Sequence, residues 1–237
     1  MSDWAPKRFW TNATTVARDG GFTVDLDGRA VKTPYKQPLI MPTQAMAERV
    51  AAEWQAQSDK IDPTTMPATR AANSAIDKVA PQYTAVVAML ASYGESDLLC
   101  YRAAQPDVLV AAQSEAWDPW LDWSARTLDA RLHVTTGVMP IPQPADSLER
   151  LHAHVCQFDP FALTGFHDLV QLSGSLVLAT AVASGALTPH SAWPLSRIDE
   201  DFQISQWGDD EEAAEAAAIK RQAFFDAALF IDLSRST

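Results

Sequence analysis

The chain has 237 residues, is 47% hydrophobic and carries a formal net charge of −12 at pH 7. A chain of this size and composition can bury a substantial core, so we expect one large domain or two modest ones. The excess of acidic groups argues against nucleic acid and anionic lipid as partners, because both are bound through clustered Lys and Arg. No apolar run reaches the ~20 residues of a membrane span, which predicts no membrane insertion.

The first part of the chain has the pattern of short strands joined by turns. The stretch "TTVARDGGFTVDLDGRAVKTP" contains a Gly-Gly pair at residues 20–21 and an Asp-Gly pair at residues 27–28, each flanked by residues that favour strands. The segment "QPLIMP", residues 37–42, is a candidate for a further strand. These features predict a small antiparallel β-domain over residues 1–42.

From Thr43 onward the spacing of apolar residues becomes helical. Thr43 is a predicted N-cap, and Val50, Ala51 and Trp54 follow on one face, which makes Trp54 a predicted core residue and leaves a contact role open. Further helical periods cover about residues 65–79, 82–93, 96–102, 108–128, 145–156, 160–184, 191–206 and 210–233. The predicted fold class is therefore α+β, with the small N-terminal antiparallel β-domain followed by a larger all-helical domain over residues 43–237.

Two neighbouring segments carry polar residues that a single site could use. In "MPATRAANSAIDKV" three of them recur at i, i+3 and i+7 on one side of a helix, and "YGESDLLCYR" adds charges near a helix boundary. The candidates are Arg70, Asn73, Asp77, Glu95, Asp97 and Arg102. Carboxylates beside Arg can take acid and base roles because their pKa values separate. The same residues also suit an ion-pair network that fixes how helices meet, and both interpretations stay open.

Residue types that commonly carry catalysis show no matching pattern. Cys100 and Cys156 have no CxxC spacing, and the five histidines lack partners at metal-ligand spacing. The stretch "LSGSL", residues 172–176, is not a GxSxG elbow and predicts a small-residue contact between helices. These patterns therefore predict no metal site, no disulfide framework and no nucleophile elbow.

Tryptophan is used unusually often in one short segment. The stretch "EAWDPWLDW" places Trp117, Trp120 and Trp123 three residues apart along a helix that Pro119 begins or bends. Such a stripe is typical of a core, and also of an interface anchor, since Trp is enriched at binding hot spots. Its spacing is compatible with both roles.

The segment "SRIDEDFQISQWGDDEEA" combines acids with large apolar residues. Eight acidic residues and no Lys or Arg occur between Asp199 and Glu215, around Phe202, Ile204 and Trp207. A contact surface would use both types, with apolar anchors inside a ring of acids. Alternatively, the aromatic residues belong to the core and the acids only stabilise helix starts.

Together these stretches resemble the family of chaperones that assemble the F(1)-ATPase of ATP synthase. The resemblance covers nearly the whole chain and rests, in order, on "KRFW", "DGRAVKTP", "MPATRAANSAIDKV", "YGESDLLCYRA", "WDPWLDWSARTLDARLHVTTGVMPIPQP" and "SRIDEDFQISQWGDDEEA". It implies an N-terminal β-domain before a helical domain. It also implies a protein that binds the unassembled F(1) α subunit and prevents its aggregation until the β subunit replaces it, without catalysis or nucleotide.

The resemblance further implies which residues bind the partner. An acidic position in the motif that reads "IDEDFQISQWG" here matters for function in the family, which points to Glu200 or to Asp199. We therefore predict a partner-binding surface that contains Asp199, Glu200, Asp201, Phe202 and Trp207. The chain start lacks the pattern of a signal peptide or mitochondrial presequence, so we expect a bacterial member that works in the cytoplasm.

A small cytosolic enzyme is the rival hypothesis. It would place Arg70, Asp77, Glu95 and Arg102 around a pocket between the domains. A chaperone predicts a broad apolar and acidic surface, whereas an enzyme predicts a concave site with convergent charges.

Overall fold

The structure, a computed structural model, describes residues 7–208 and 210–235. The strands within these ranges are β1 (Ala13–Arg18), β2 (Gly21–Leu26), β3 (Arg29–Ala30), β4 (Tyr101–Arg102) and β5 (Thr135–Thr136). The α-helices there are α1 (Gln44–Gln55), α2 (Pro67–Ser74), α3 (Tyr83–Ala91), α4 (Asp107–Thr127), α5 (Ala145–Val155), α6 (Pro160–Ser173), α7 (Leu176–Ala183), α8 (Pro189–Leu195), α9 (Ile198–Trp207) and α10 (Glu211–Arg235). Outside the described residues lie residues 1–6 of the predicted β-domain, Asp209 of the acidic run, and residues 236–237 of the predicted helical domain.

The N-terminal strands form an antiparallel sheet in the order β1-β2-β3, as the turn pairs predict. In the first hairpin Ala13 lies opposite Leu26. In the second turn Asp27 and Gly28 have φ angles of 48° and 81°, the left-handed pair of values that an Asp-Gly hairpin turn favours. A small antiparallel sheet followed by helices confirms the predicted α+β fold class.

Residues 37–42 approach this sheet without forming a regular strand. The Phe22 amide donates to the Met41 carbonyl at 2.9 Å, and the Met41 amide donates back at 2.7 Å. This pairing is an isolated bridge, so the predicted further strand is wrong. The close approach explains Gly21, because a Cβ there would lie 2.2 Å from the Met41 carbonyl oxygen.

The described chain divides into two compact units. Unit 1 contains the described residues of Met1–Tyr83, Pro160–Gly165 and Leu229–Thr237, and unit 2 contains those of Thr84–Asp159 and Phe166–Ala228. The predicted boundary between residues 42 and 43 follows the change from strands to helices, and it stays a prediction.

The core of unit 1 joins its sheet to α1. Met46, Ala47 and Val50 of α1 are fully buried in it, as the helical spacing predicts. Thr43 is the predicted N-cap, since its side chain accepts a hydrogen bond from the Met46 amide. Trp54 is half-buried and packs against this core.

Glu53 of α1 is buried, although its side chain is charged. Its carboxylate accepts hydrogen bonds from the Ala68 and Thr69 amides at 2.9 and 2.8 Å, and from the Thr69 hydroxyl at 2.7 Å. These donors belong to the first turn of α2, whose amides have no partner within the helix. Glu53 therefore caps α2 from a neighbouring helix.

Three predicted helices in the middle and end of the chain differ from the observed ones. Residues 96–102 form a short 3-10 turn, Leu98–Cys100, followed by β4, because Tyr101 and Arg102 pair with β5. The predicted helix 160–184 is two helices, because Gly174 takes a φ of 68° after α6 and Ser175 caps α7. The predicted helix 191–206 is likewise divided into α8 and α9. Across the described ranges, no helix is both long and apolar enough to cross a membrane.

Candidate functional site

Helix α9, which we call the acidic helix, belongs to unit 2 and is unusually open to solvent. The structure describes all ten of its residues, and none of them is buried. Its first turn carries Asp199, Glu200 and Asp201, where carboxylates meet the positive end of the helix dipole. It ends at Gly208, whose φ of 92° is easily adopted only by glycine.

Large apolar side chains lie on the same short helix. Trp207 is 79% exposed, Ile204 is exposed and Phe202 is half-buried. The alternative interpretation, in which Trp207 belongs to the core, is therefore wrong. Trp207 is thus an exposed tryptophan on a helix whose first turn carries three acids, which is unusual because Trp is mostly buried in a monomer.

The three acids of the first turn have different surroundings. The Asp199 carboxylate accepts a hydrogen bond of 2.6 Å from the side-chain amide of Gln113. Glu200 and Asp201 are more than half exposed and lie 3.4 and 3.9 Å from the guanidinium of Arg197. The Arg197 side chain is only 16% exposed, so each ion pair joins an exposed carboxylate to a largely buried guanidinium. Asp199 is thus held by the fold, whereas Glu200 and Asp201 face solvent.

The polar residues of the rival enzyme hypothesis have separate structural surroundings. In unit 1, Asp77 accepts hydrogen bonds from the Thr33 hydroxyl at 2.6 Å and from the Tyr35 amide at 3.1 Å, which fixes the loop after β3. Arg70 is exposed, and the buried side-chain oxygen of Asn73 has no hydrogen-bond partner among the described residues. Asp77 therefore has a structural role.

In unit 2, Glu95 is exposed and Asp97 is fully buried. Burial raises the pKa of the Asp97 carboxyl, although hydrogen bonds from the Val177 amide, the Ser175 hydroxyl and the Leu99 amide oppose the rise. These donors include the start of α7, so Asp97 caps that helix.

Arg102 is buried, and its guanidinium makes three contacts. It donates to the Leu99 carbonyl at 2.9 Å and to the Asp118 carboxylate at 2.8 Å, and it lies 5.3 Å from the ring centre of Trp117. Arg102 and Asp97 therefore bond to different groups. Their surroundings match the interpretation in which these residues fix the packing of the chain.

The tryptophan stripe divides into one core residue and two partly covered ones. Trp117 is fully buried, and its indole N–H donates to the Leu195 carbonyl at 2.8 Å. Trp120 and Trp123 are half-buried and meet edge to face at 6.1 Å. Pro119 lies inside α4, which begins at Asp107, so it does not start the helix.

The two cysteines have different surroundings. Burial raises the pKa of the Cys100 thiol to about 12, and the neighbouring Asp97 adds to the rise, so this thiol stays protonated. Cys156 is exposed, with its sulfur 3.7 Å from the His152 ring. Over residues 7–208 and 210–235, no three His, Cys, Asp or Glu side chains lie close enough together to hold a metal ion.

Two features of unit 2 are missed by sequence reasoning. Gln113 is a buried polar residue that contacts the acidic helix, and its only signal in the sequence is its i, i+4 spacing from Trp117. The loop after β5 exposes Val138, at 89%, and Met139. The pattern of this loop does not distinguish exposed from buried apolar residues, because it has no helical or strand period.

Comparison with known proteins gives consistent matches over most of the chain. The family model described as "ATP12 chaperone protein" matches residues 7–125. The crystal structure of Atp12 from Paracoccus denitrificans is 52% identical, with a TM-score of 0.94 over 97% of this chain and 98% of that one. An aspartate-to-lysine mutant of the same bacterial protein is 51% identical, with the same TM-score and coverage. The mitochondrial protein atp12 of Schizosaccharomyces pombe is 23% identical over 221 residues, which is 88% of this chain and 76% of that protein.

Proposed function

The chain belongs to the ATP12 chaperone family, which acts in ATP synthase assembly, and we propose that it binds the unassembled F(1) α subunit. The chaperone stays bound until the β subunit replaces it on the α subunit. Until then, its binding prevents the α subunit from aggregating. The observation that carries this proposal is the exposed Trp207 on the same uncovered helix as three carboxylates.

The composition of the acidic helix suits such a client. A subunit that awaits its partner exposes an apolar interface mixed with basic groups, which needs apolar anchors together with negative charge. Trp207, Ile204 and Phe202 supply the apolar contacts, while Glu200 and Asp201 supply the charge. Asp199 belongs to the same surface, where its bond to Gln113 gives it a positioning role.

Holding by this surface is an equilibrium effect. A protein that binds the unpartnered subunit lowers its free concentration, and the rate of self-association falls with it. ATP hydrolysis is not required for this. We infer that the chain acts without catalysis, cofactor or small-molecule substrate, and that it works in the bacterial cytoplasm.

Charge reversal at Glu200 tests the proposal. The aggregation of the isolated α subunit is followed by light scattering, without nucleotide, alone and with each chaperone variant at near-stoichiometric ratio. We expect the wild type to suppress scattering and Glu200→Lys to bind the subunit about tenfold more weakly, which corresponds to ~1.4 kcal/mol.

Glu149→Lys is the matched control, because Glu149 is an exposed helical glutamate in α5 and the charge changes equally. We expect it to act as the wild type does. Equal loss in both variants would mean that net charge alone matters. If the wild type does not suppress scattering, the α subunit is not the client. A Glu200→Lys variant that loses its circular dichroism would contradict the exposed position of this side chain.

A further inference from the structure

Helix α4 contacts the end of α8 and the start of the acidic helix through two buried side chains one turn apart. The amide of Gln113 donates to the Asp199 carboxylate at 2.6 Å, and the indole of Trp117 donates to the Leu195 carbonyl at 2.8 Å. Gln113 is only 1% exposed and Trp117 is fully buried. Residues at i and i+4 lie on one face of a helix. This face of α4 therefore holds the chain on both sides of the break between α8 and α9.

The other end of the Gln113 side chain is also fixed. Its oxygen accepts a hydrogen bond of 2.8 Å from the Ala103 backbone amide. A backbone N–H can only donate, so the oxygen must face Ala103 and the NH₂ group must face Asp199. Arg102, the residue before Ala103, is itself bound to Asp118 and lies over Trp117. The orientation of the Gln113 amide is thus determined by its two hydrogen-bond partners, Ala103 and Asp199.

The acidic helix packs on the rest of unit 2 through side chains that are at most half-buried, such as Ile198 and Phe202. No residue of this fully described helix is buried, so apolar packing contributes less to its orientation than in an ordinary helix. A helix of this length is also marginal in isolation. A charge-assisted hydrogen bond from a buried donor is strong and directional, and it acts at the first turn.

We propose that Gln113 is a positioning residue for client binding, which holds the acidic helix through Asp199 so that Glu200, Asp201 and Trp207 face the client together. The inference rests on the proposed function of that helix. A surface that is ordered before it binds loses less conformational entropy on binding than one that must order itself. Gln113 thus acts on affinity without touching the client.

Two measurements on Gln113→Leu test this role. Leucine keeps the approximate volume and removes both hydrogen bonds. In the free protein, we expect amide hydrogen exchange in α9 to accelerate about tenfold, with α5 unchanged. We expect affinity for the isolated F(1) α subunit to fall about fivefold, because the helix must order itself on binding.

A double-mutant cycle separates positioning from general loss of stability. If Gln113 acts through Asp199, then Asp199→Ala weakens binding by a similar factor, and the double variant weakens it less than about twofold further. Ser124→Ala is the matched control, since it removes another buried hydrogen bond of α4, from Ser124 to the Ala130 carbonyl, far along the helix from Gln113. We expect that control to bind normally.

Each outcome bears on the proposal. Additive losses at residues 113 and 199, or an equal loss in Ser124→Ala, would overturn it, as would unchanged exchange in α9. If the wild type does not bind the α subunit, the proposed function fails together with the client-binding role. Hydrogen exchange in the free protein then still shows whether Gln113 orders the acidic helix, which distinguishes the two failures.

Discussion

Helices α7 and α9 are two short helices of the same unit that differ completely in burial. All eight residues of α7 are buried, whereas none of the ten residues of α9 is. Each helix has a carboxylate bound near its start, Asp97 for α7 and Asp199 for α9. The comparison shows that a hydrogen-bonded acid near a helix start accompanies a fully buried helix in one place and a solvent-facing helix in the other.

The composition of the two helices explains the difference in burial. The sequence of α7, "LVLATAVA", has no polar residue except Thr180 and can be covered on every side. That of α9, "IDEDFQISQW", has acids on its first turn and polar residues between its apolar ones, so only a narrow face with the half-buried Ile198 and Phe202 is apolar. Only α9 can therefore present apolar and acidic groups to a partner at once.

The largest expected difference between α7 and α9 is the loss of unfolding free energy when an apolar side chain is shortened to alanine. Leu178→Ala in α7 is expected to lower the free energy of unfolding by ~2–5 kcal/mol, because Leu178 is fully buried and its loss leaves a cavity. Ile204→Ala in α9 should change it by less than ~0.5 kcal/mol, since Ile204 is exposed. Guanidinium unfolding followed by circular dichroism measures both. Similar losses in the two variants would contradict the observed burial.

The carboxylates of Asp97 and Asp199 should also differ in how much they stabilise the fold, by a smaller amount. Asp97→Ala is expected to destabilise the fold by ~3 kcal/mol, because the Leu99 and Val177 amides and the Ser175 hydroxyl lose a buried acceptor. Asp199→Ala should destabilise it less, since Asp199 is half-buried and solvent can replace it. Thermal unfolding of the two variants compares them directly. A larger loss for Asp199→Ala would show that the acidic helix supports the core.

The pH dependence of stability should reveal the burial of Asp97. Burial raises its pKa, so the folded state keeps this proton to higher pH than the unfolded state does. Stability from this group is then greatest at low pH and declines as pH rises from the ordinary aspartate value of 3.8 through the raised folded value.

Asp97→Asn removes this titration and is the reference for it. The unfolding free energy of the wild type minus that of Asp97→Asn should fall with rising pH, with a slope of at most ~1.4 kcal/mol per pH unit. Urea unfolding at a series of pH values gives the difference. A difference that rises with pH would mean that the three hydrogen bonds outweigh burial, and that the pKa of Asp97 is lowered.

Local patterns predict those parts of the fold that local chemistry determines. The Asp-Gly pair at residues 27–28 requires a left-handed turn, and Thr43 supplies a cap, so the hairpin and the start of α1 follow from a few residues. The division of residues 160–184 into two helices does not follow from periodicity, because apolar residues continue across Gly174. The break depends on the left-handed Gly174 and on the distant Asp97.

The site is harder to predict than the fold for a similar reason. Periodicity shows that Trp117 and Trp207 are both large and apolar, yet one is fully buried and the other is 79% exposed. Burial is decided by what packs against a helix, and that depends on residues far away in the chain. Gln113 is a further example, since its partner Asp199 lies 86 positions later.

Substitution of Trp207 is expected to have the smallest effect on stability, but it should affect client binding, which a substitution in the buried helix α7 does not test. Trp207→Ser should alter the free energy of unfolding by less than ~0.5 kcal/mol, because the side chain makes little contact with the rest of the fold. It should nevertheless weaken the holding of the F(1) α subunit, since aromatic anchors supply much of the binding energy at interfaces.

Val138→Ser is the control, because Val138 is another exposed apolar residue of unit 2. Light scattering of the α subunit and circular dichroism of each variant are the measurements. An equal loss of holding in both variants would mean that exposed apolar area in general retains the client, whereas loss in Trp207→Ser alone would assign that role to the acidic helix, which carries both the exposed tryptophan and the three carboxylates of its first turn.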